Sequence, residues 1–418
     1  MSRTFSSSFT HYLVPSERAV KTALTTGMVV FDTNVLLSAY RFAPQAREQL
    51  LSTMDQLKDR VWVPHRVGLE FHRRRLDVIA EQRAAYETVL GLIVKHKSEL
   101  SKEIGDSIRQ LSNRAALTGQ DRLALLGQLE DGLEPLRKMV ERLNDDHSAI
   151  EIHDDDPILL RLHSIIGENI GEDFPAEARK DALQEAERRK VARIPPGFKD
   201  ADKPEFYGDY FLWRQTLDEA KRRSAQHLVF VTNDQKDDWY LKVKGKHIAD
   251  PQLAQEARDF CNAQLVLMST QTLLHHARKY LNADVSNETI RQAGELREIE
   301  SAREDLAALA TWMRTAEEAL KISKSEMAAL YDRLQALQAR AYGLQTGLSD
   351  VSPMEANRRH AMLERINTEH ERVVAQIALK ERELVDLEGT ILSAREKLIH
   401  LRHQLGEPGP NSPGYKGE

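Results

Sequence analysis

The 418-residue chain predicts an α/β fold on a parallel central sheet, broken by a large helical insertion and followed by a long antiparallel helical hairpin. Three observations predict it. Short apolar, β-branched runs alternate with helical patterns, the arrangement that gives parallel strands joined by helical crossovers. Residues 76 to about 190 are rich in Leu, Ala, Glu, Arg and Lys, with apolar positions three or four apart, which is a helical period. Beyond residue 286 two heptad series follow one another, the signature of a coiled coil.

Residues 1–26 are polar and read as a lead-in arm or short helix. Gly27 to Phe31 reads as a buried strand stopped by the polar Asp32-Thr33-Asn34, and a helical stretch begins at Val35. Val61-Trp62-Val63, closed by Pro64, is a second strand, and a helix runs on from His65. Pro135, Pro157 and Pro175 mark where the insertion breaks or restarts. Ile194 to Phe198, with Pro195-Pro196-Gly197 at its centre, is a loop. Gly208-Asp209-Tyr210 opens a helix carrying Leu212, Trp213 and Leu217. His227 to Val231 is a strand ending in Thr232-Asn233-Asp234. Asp250-Pro251 is a capped helix start. Gln264 to Met268 is the last strand, with a helix through Tyr280. The α/β part spans 27–285 and the hairpin 286–405.

The hairpin seams run from Ile299 to Leu344, broken only by Ser323, and from Leu363 to Leu405, broken by His370 and Lys380. The segment from Gly347 to Pro353 reads as the turn between them. Arms of roughly 50 residues would reach about 75 Å. Residues 406–418, rich in Gly and Pro, read as a flexible tail.

Composition excludes several classes. With 59 basic and 65 acidic side chains the net charge is −6, which rules out a uniformly basic nucleic-acid coat. No apolar run approaches the length of a membrane span, and the N-terminus lacks the apolar core of a signal peptide. Cys261 is the only cysteine, so neither a disulfide framework nor a cysteine-built zinc site is expected, in keeping with a reducing, cytoplasmic setting.

The chemistry-bearing feature is where the acids fall. Asp32 and Asp234 end two strands, and in parallel sheets ligands bind beyond the carboxyl ends of the strands. Glu70 follows the second strand on its helix, and Asp209 lies in the first turn of another helix. Taken singly, each has a plainer reading: a turn, a cap or an exposed helix face. Together they are expected to form one negatively charged cup. Crowded carboxylates repel one another, and a hard divalent cation, Mg²⁺ or Mn²⁺, neutralises them. Such ions support in-line attack on a phosphodiester. Arg66, Arg73 and Lys236 are candidates to hold a phosphate backbone beside the cup. An arginine or lysine filling the cup would instead argue for a scaffold. An aspartyl-phosphate phosphatase is disfavoured, because that chemistry wants Asp-x-Asp and the second position here is Asn34.

Several stretches resemble PIN-domain nucleases: Val30-Phe31-Asp32-Thr33-Asn34-Val35-Leu36-Leu37, and Val63-Pro64-His65-Arg66-Val67-Gly68-Leu69-Glu70-Phe71. Pro195 to Phe198, Tyr207 to Trp213 and Phe230 to Trp239 are similar to a bacterial PIN-like subgroup with a large helical insertion. The resemblance covers roughly residues 25–280; each motif is weak alone, and the five in order are fairly specific. It implies a Rossmann-like sheet and a metal-dependent nuclease acting on RNA or single-stranded DNA. Asp32, Glu70, Asp209 and Asp234 match the family's four acidic positions, and Asn34 and Thr232 its accompanying polar positions. Asp237 matches a further acid of the subgroup. A toxin or phage-defence setting is a further implication. The hairpin lies outside the resemblance. Its seams imply a homo-oligomer or a partner protein, and an assembly or scaffold protein with a silent nuclease head is the alternative reading.

Overall fold

The computed structural model describes residues 9–115, 119–148, 156–200, 205–243, 246–346 and 352–406. The expectations for the first eight residues of the arm, most of the hairpin turn and most of the tail lie outside them. The described residues divide into two compact units, one ending at Arg297 and the other starting at Glu298.

In the first unit, β1 (Met28–Phe31) is buried along its whole length. It pairs in parallel with β2 (Val61–Trp62) on one side and β3 (His227–Val231) on the other, and β6 (Gln264–Met268) pairs in parallel with β3. The sheet order is therefore β2-β1-β3-β6. These are the four strands expected from the apolar runs. Both faces are covered by helices, which is why the strands read as unbroken apolar runs rather than as alternating ones. One tight crossing depends on glycine. A Cβ on Gly27, between α1 (Glu17–Thr26) and β1, would stand 2.6 Å from the Ala23 carbonyl and 2.9 Å from that of His227.

Helices α2 (Thr33–Arg41) and α3 (Pro44–Leu57) return the chain from β1 to β2. The insertion then runs through α4 (His65–Ala115), α5 (Gly119–Asp131), α6 (Glu134–Ser148), α7 (Pro157–Ile166) and α8 (Ala176–Ala192). Pro135 and Pro157 lie in the first turns of α6 and α7, and Pro175 precedes α8, positions where a missing N–H costs nothing. Asp156 caps α7 by accepting from the Ile158 and Leu159 N–H groups. α9 (Gly208–Arg222) leads into β3, α10 (Pro251–Cys261) into β6, and α11 (Thr270–Tyr280) follows. The capped start at Asp250-Pro251 is present, with Asp250 accepting from Gln252 N at 2.8 Å.

An antiparallel pair, β4 (Tyr240–Val243) and β5 (Lys246–Ala249), was not anticipated. Its short, mixed polar and apolar segments carry no clear alternation, so the pairing is set by tertiary context.

α12 (Asn287–Gln345) begins in the first unit, where Ala293 belongs to the α/β core and Ile290 and Leu296 pack against it. The second unit is a helical hairpin of the rest of α12 with α13 (Pro353–Gln404). Leu337, Ile366, Val373 and Ile377 form its core with Met327, Leu330 and Leu334. Glu317 pairs with Arg395, Lys324 with Glu388, and Arg333 with Glu369. Rising numbers on one helix meet falling numbers on the other, so the arms are antiparallel. Two of the seams' polar breaks are partnered: Lys380 pairs with Glu326 at 2.7 Å, and His370 lies 3.5 Å from Gln338.

Candidate active site

The chain passes from β1 outward to β2 and later returns on the opposite side of β1 as β3. The strand order therefore reverses between β1 and β3, where an open parallel sheet offers a crevice at its carboxyl edge. Phe31 and Val231 are registered partners at that edge. The next residues, Asp32 and Thr232, consequently stand side by side: Asp32 N donates to Val231 O at 2.9 Å, and Thr232 Oγ1 donates to Asp32 Oδ2 at 2.6 Å.

Asp32 is held from every side. It caps α2, its Oδ1 accepting from Thr33 N at 2.6 Å. Asn34 Nδ2 donates to Oδ2 at 2.8 Å. The Asn34 side-chain oxygen Oδ1 accepts from Asn233 N at 3.0 Å, and Thr232 Oγ1 accepts from Asp234 N at 3.1 Å. Asn34 and Thr232 thus lock the ends of both strands around one carboxylate. Burial, reinforced by the charges of Glu70 and Asp234, pushes the Asp32 carboxyl up to about 7, although the Thr232 and Thr33 hydrogen bonds pull it down. Among the described residues no lysine or arginine forms an ion pair with Asp32.

Glu70, on α4, accepts from Thr33 Oγ1 at 3.4 Å and pairs with Arg74 at 3.1 Å. Asp209, in the first turn of α9, is partly exposed as a residue, but its Oδ2 is enclosed and has no hydrogen-bond partner. Burial holds its carboxyl well above the usual range, with Asp200, Asp234 and Asp238 adding to the effect and Lys236 opposing it. Asp234 is thus the acid shared by the surroundings of Asp32 and of Asp209.

The turn after β3 is pinned from below. Trp239 is buried and stacks on Phe230 with centroids 4.9 Å apart, and Trp213 packs edge-on against both rings. Asp237 points outward and pairs with Lys199 at 3.6 Å and Lys242 at 3.0 Å, so it is not brought together with the other acids. Its neighbour Asp238 is fully buried. The Asp238 Oδ2 accepts from the Gly197 and Lys199 N–H groups at 3.0 and 3.1 Å, and Oδ1 is enclosed without a partner. Gly197 has φ of +94°, a conformation glycine adopts freely, and a Cβ there would stand 3.4 Å from that of Asp209. The loop from Pro195 to Asp200 therefore lies against the cup.

The basic candidates are engaged within the protein. Arg66 and Arg73 pair with Glu205 at 2.6 and 3.1 Å, and Arg66 also lies against Gly208 at the start of α9. Lys236 enters the cup itself, with Nζ 3.0 Å from Asp234 Oδ2 and 3.1 Å from Asp200 Oδ1. A lysine therefore occupies the side of the cup facing Asp200 and Asp234, the occupation that the sequence reading associates with a scaffold; on the other side Arg74 pairs with Glu70, and among the described residues no lysine or arginine pairs with Asp32 itself. The sequence reading assigns no role to Asp200 or Asp238. The large apolar Trp239 next in line was the available signal that the chain turns inward there.

Residues 28–254 match the family described as PIN like domain. The chain belongs to the PIN-like domain family. The PIN-like fold is a nuclease-type fold, which implies binding of nucleic acid, and PIN domains typically use divalent metal ions. No curated protein and no solved structure matches the chain. The donors present suit such an ion by their chemistry. Asp209 Oδ2 and Asp238 Oδ1 are enclosed carboxylate oxygens without partners, and Asp32 is crowded by two further acids. Hard oxygens of this kind are the ligands of Mg²⁺ and Mn²⁺. Among the described residues no group of three or more His, Cys, Asp or Glu side chains is arranged to hold a metal ion, and the ammonium of Lys236 stands among the acids. Among the described residues no helix is long and apolar enough to cross a membrane.

Proposed function

We propose that this PIN-like protein is a divalent-cation-dependent endonuclease hydrolysing phosphodiester bonds of RNA or single-stranded DNA. The observation that carries the reading is the position of Asp32: at the switch point of the sheet, locked by Thr232 and Asn34, and electrostatically crowded by Glu70 and Asp234. Asp32 and Asp234 are the residues to hold Mg²⁺ or Mn²⁺, with Glu70 and Asp209 completing the shell or orienting the attacking water. Such an ion, when bound, would supply positive charge for the phosphate oxygens and for activation of the attacking water. Thr232 and Asn34 fix the direction of the Asp32 oxygens, so little reorganisation is needed as charge develops.

The test is cleavage of end-labelled RNA and single-stranded DNA with Mg²⁺ or Mn²⁺. Asp32→Asn and Asp234→Asn should each lower the rate by at least about 100-fold, since groups that merely orient metal ligands already cost about 10- to 100-fold. A folded wild-type protein that cuts neither polymer, or variants that keep their rate, would sink the reading.

A further inference from the structure

The placement of Lys236 carries an inference that rests on the metal-dependent reading and goes beyond it. One ammonium lies between Asp234 and Asp200, 3.0 and 3.1 Å from their oxygens. Its charge is also felt by Asp209 and Asp238. The unpartnered Asp209 Oδ2 and Asp238 Oδ1 are enclosed in the same region. Without a counter-charge so many neighbouring carboxylates would repel one another.

Lys236 is therefore doing electrostatically what a divalent ion would do. It also takes a coordination position on Asp234, the acid common to both halves of the cup. The backbone keeps it there: Lys236 N donates to Asp234 Oδ1 at 2.7 Å, so residue 236 and the Asp234 carboxylate move as one tight turn. Only the flexible four-carbon stem of the side chain has to move for the ammonium to leave.

We propose that Lys236 is the resident counter-cation of the cup and a positioning residue for the metal. The ammonium and a divalent ion exclude each other at Asp234, and when the ion binds, the ammonium leaves Asp234. Exchange of this kind keeps the acids neutralised in the ion-free protein, and it sets the ion's affinity lower than the bare acids would give. Asp238 is not exchanged. Its Oδ2 is already committed to the Gly197 and Lys199 N–H groups, which hold the wall of the cup.

The experiment is direct Mn²⁺ binding to the intact chain, followed by electron paramagnetic resonance of the free ion. Lys236→Met keeps the stem and removes the charge, and should tighten Mn²⁺ by about tenfold, equivalent to about 1.4 kcal/mol. Lys236→Arg keeps the charge and should not tighten it. A second measurement needs no variant. Labelling of Lys236 in the wild type by a small amine-reactive reagent, read by peptide mass spectrometry, should rise on addition of Mn²⁺. Equal affinity in wild type and Lys236→Met, or labelling that is unchanged or lowered by Mn²⁺, overturns the exchange while leaving the metal-dependent reading intact. Absence of Mn²⁺ binding in both proteins overturns both.

Discussion

At the scale of single residues the decisive quantity is the protonation of Asp32. Its carboxyl is raised from an ordinary 3.8 to about 7, first by burial and then by Glu70 and Asp234. From about pH 4 to about pH 7 the unfolded chain has already released this proton while the fold retains it. Folding then takes up a proton, so this group makes stability fall as pH rises through that window, with the cost fully present above about 7. At about 1.4 kcal/mol per pKa unit the cost is on the order of 4 kcal/mol at most. Asp32→Asn should therefore raise the ion-free protein's resistance to urea at pH 8 and leave it little changed at pH 4, the opposite of its expected effect on cleavage. Equal shifts at both pH values would mean that the carboxylate is not strained. The same proton competes with metal, so Mn²⁺ affinity should fall as pH drops below about 7, and a flat profile would count against Asp32 as a ligand.

At the scale of elements, the strands were legible because each is an apolar run ended by a polar turn, and the sequence alone puts both site-bearing turns on the carboxyl edge. Glu70 and Asp209 were legible by position on their helices. The insertion's breaks were legible through proline. What could not be read was pairing that depends on distant residues: the β4–β5 ladder, the outward turn of Asp237 against the inward turn of Asp238, and the entry of Lys236 into the cup. The Asp156 junction is of this kind. Its first role, capping α7, follows from Asp-Pro; its second does not. Fully buried, it also accepts from the Tyr40 hydroxyl on α2 at 2.7 Å and pairs with Arg75 on α4, fastening the start of the insertion to the helix that follows Asp32. Asp156→Ala would leave a largely buried guanidinium and a buried hydroxyl without their acceptor. A loss of about 3–5 kcal/mol is expected, measurable as a lowered urea midpoint. A loss within about 0.5 kcal/mol, as for an ordinary surface site, would show the junction to be dispensable.

At the scale of the molecule, the two units have separate apolar cores, one around the parallel sheet and one along the α12–α13 seam. Cooperative unfolding follows a shared core, so a defect confined to one core should stay there. Val373, only 1% exposed, sits in the hairpin core beside Ile366 and Ile377. A carboxylate there has no designed partner, and burying one unpaired is among the costliest changes a helix pair can receive. Val373→Asp should remove much of the far-ultraviolet helical signal of α12 and α13. The tryptophan fluorescence transition should persist at the wild-type midpoint, because Trp62, Trp213 and Trp239 lie in the first unit and only Trp312 lies in the hairpin. Mn²⁺ binding, which draws on Asp32 and Asp234 alone among these features, should be unaltered. A fluorescence midpoint that falls together with the helical signal would show that the sheet core depends on the hairpin. The hairpin would then be a structural part of the nuclease unit rather than an appended arm.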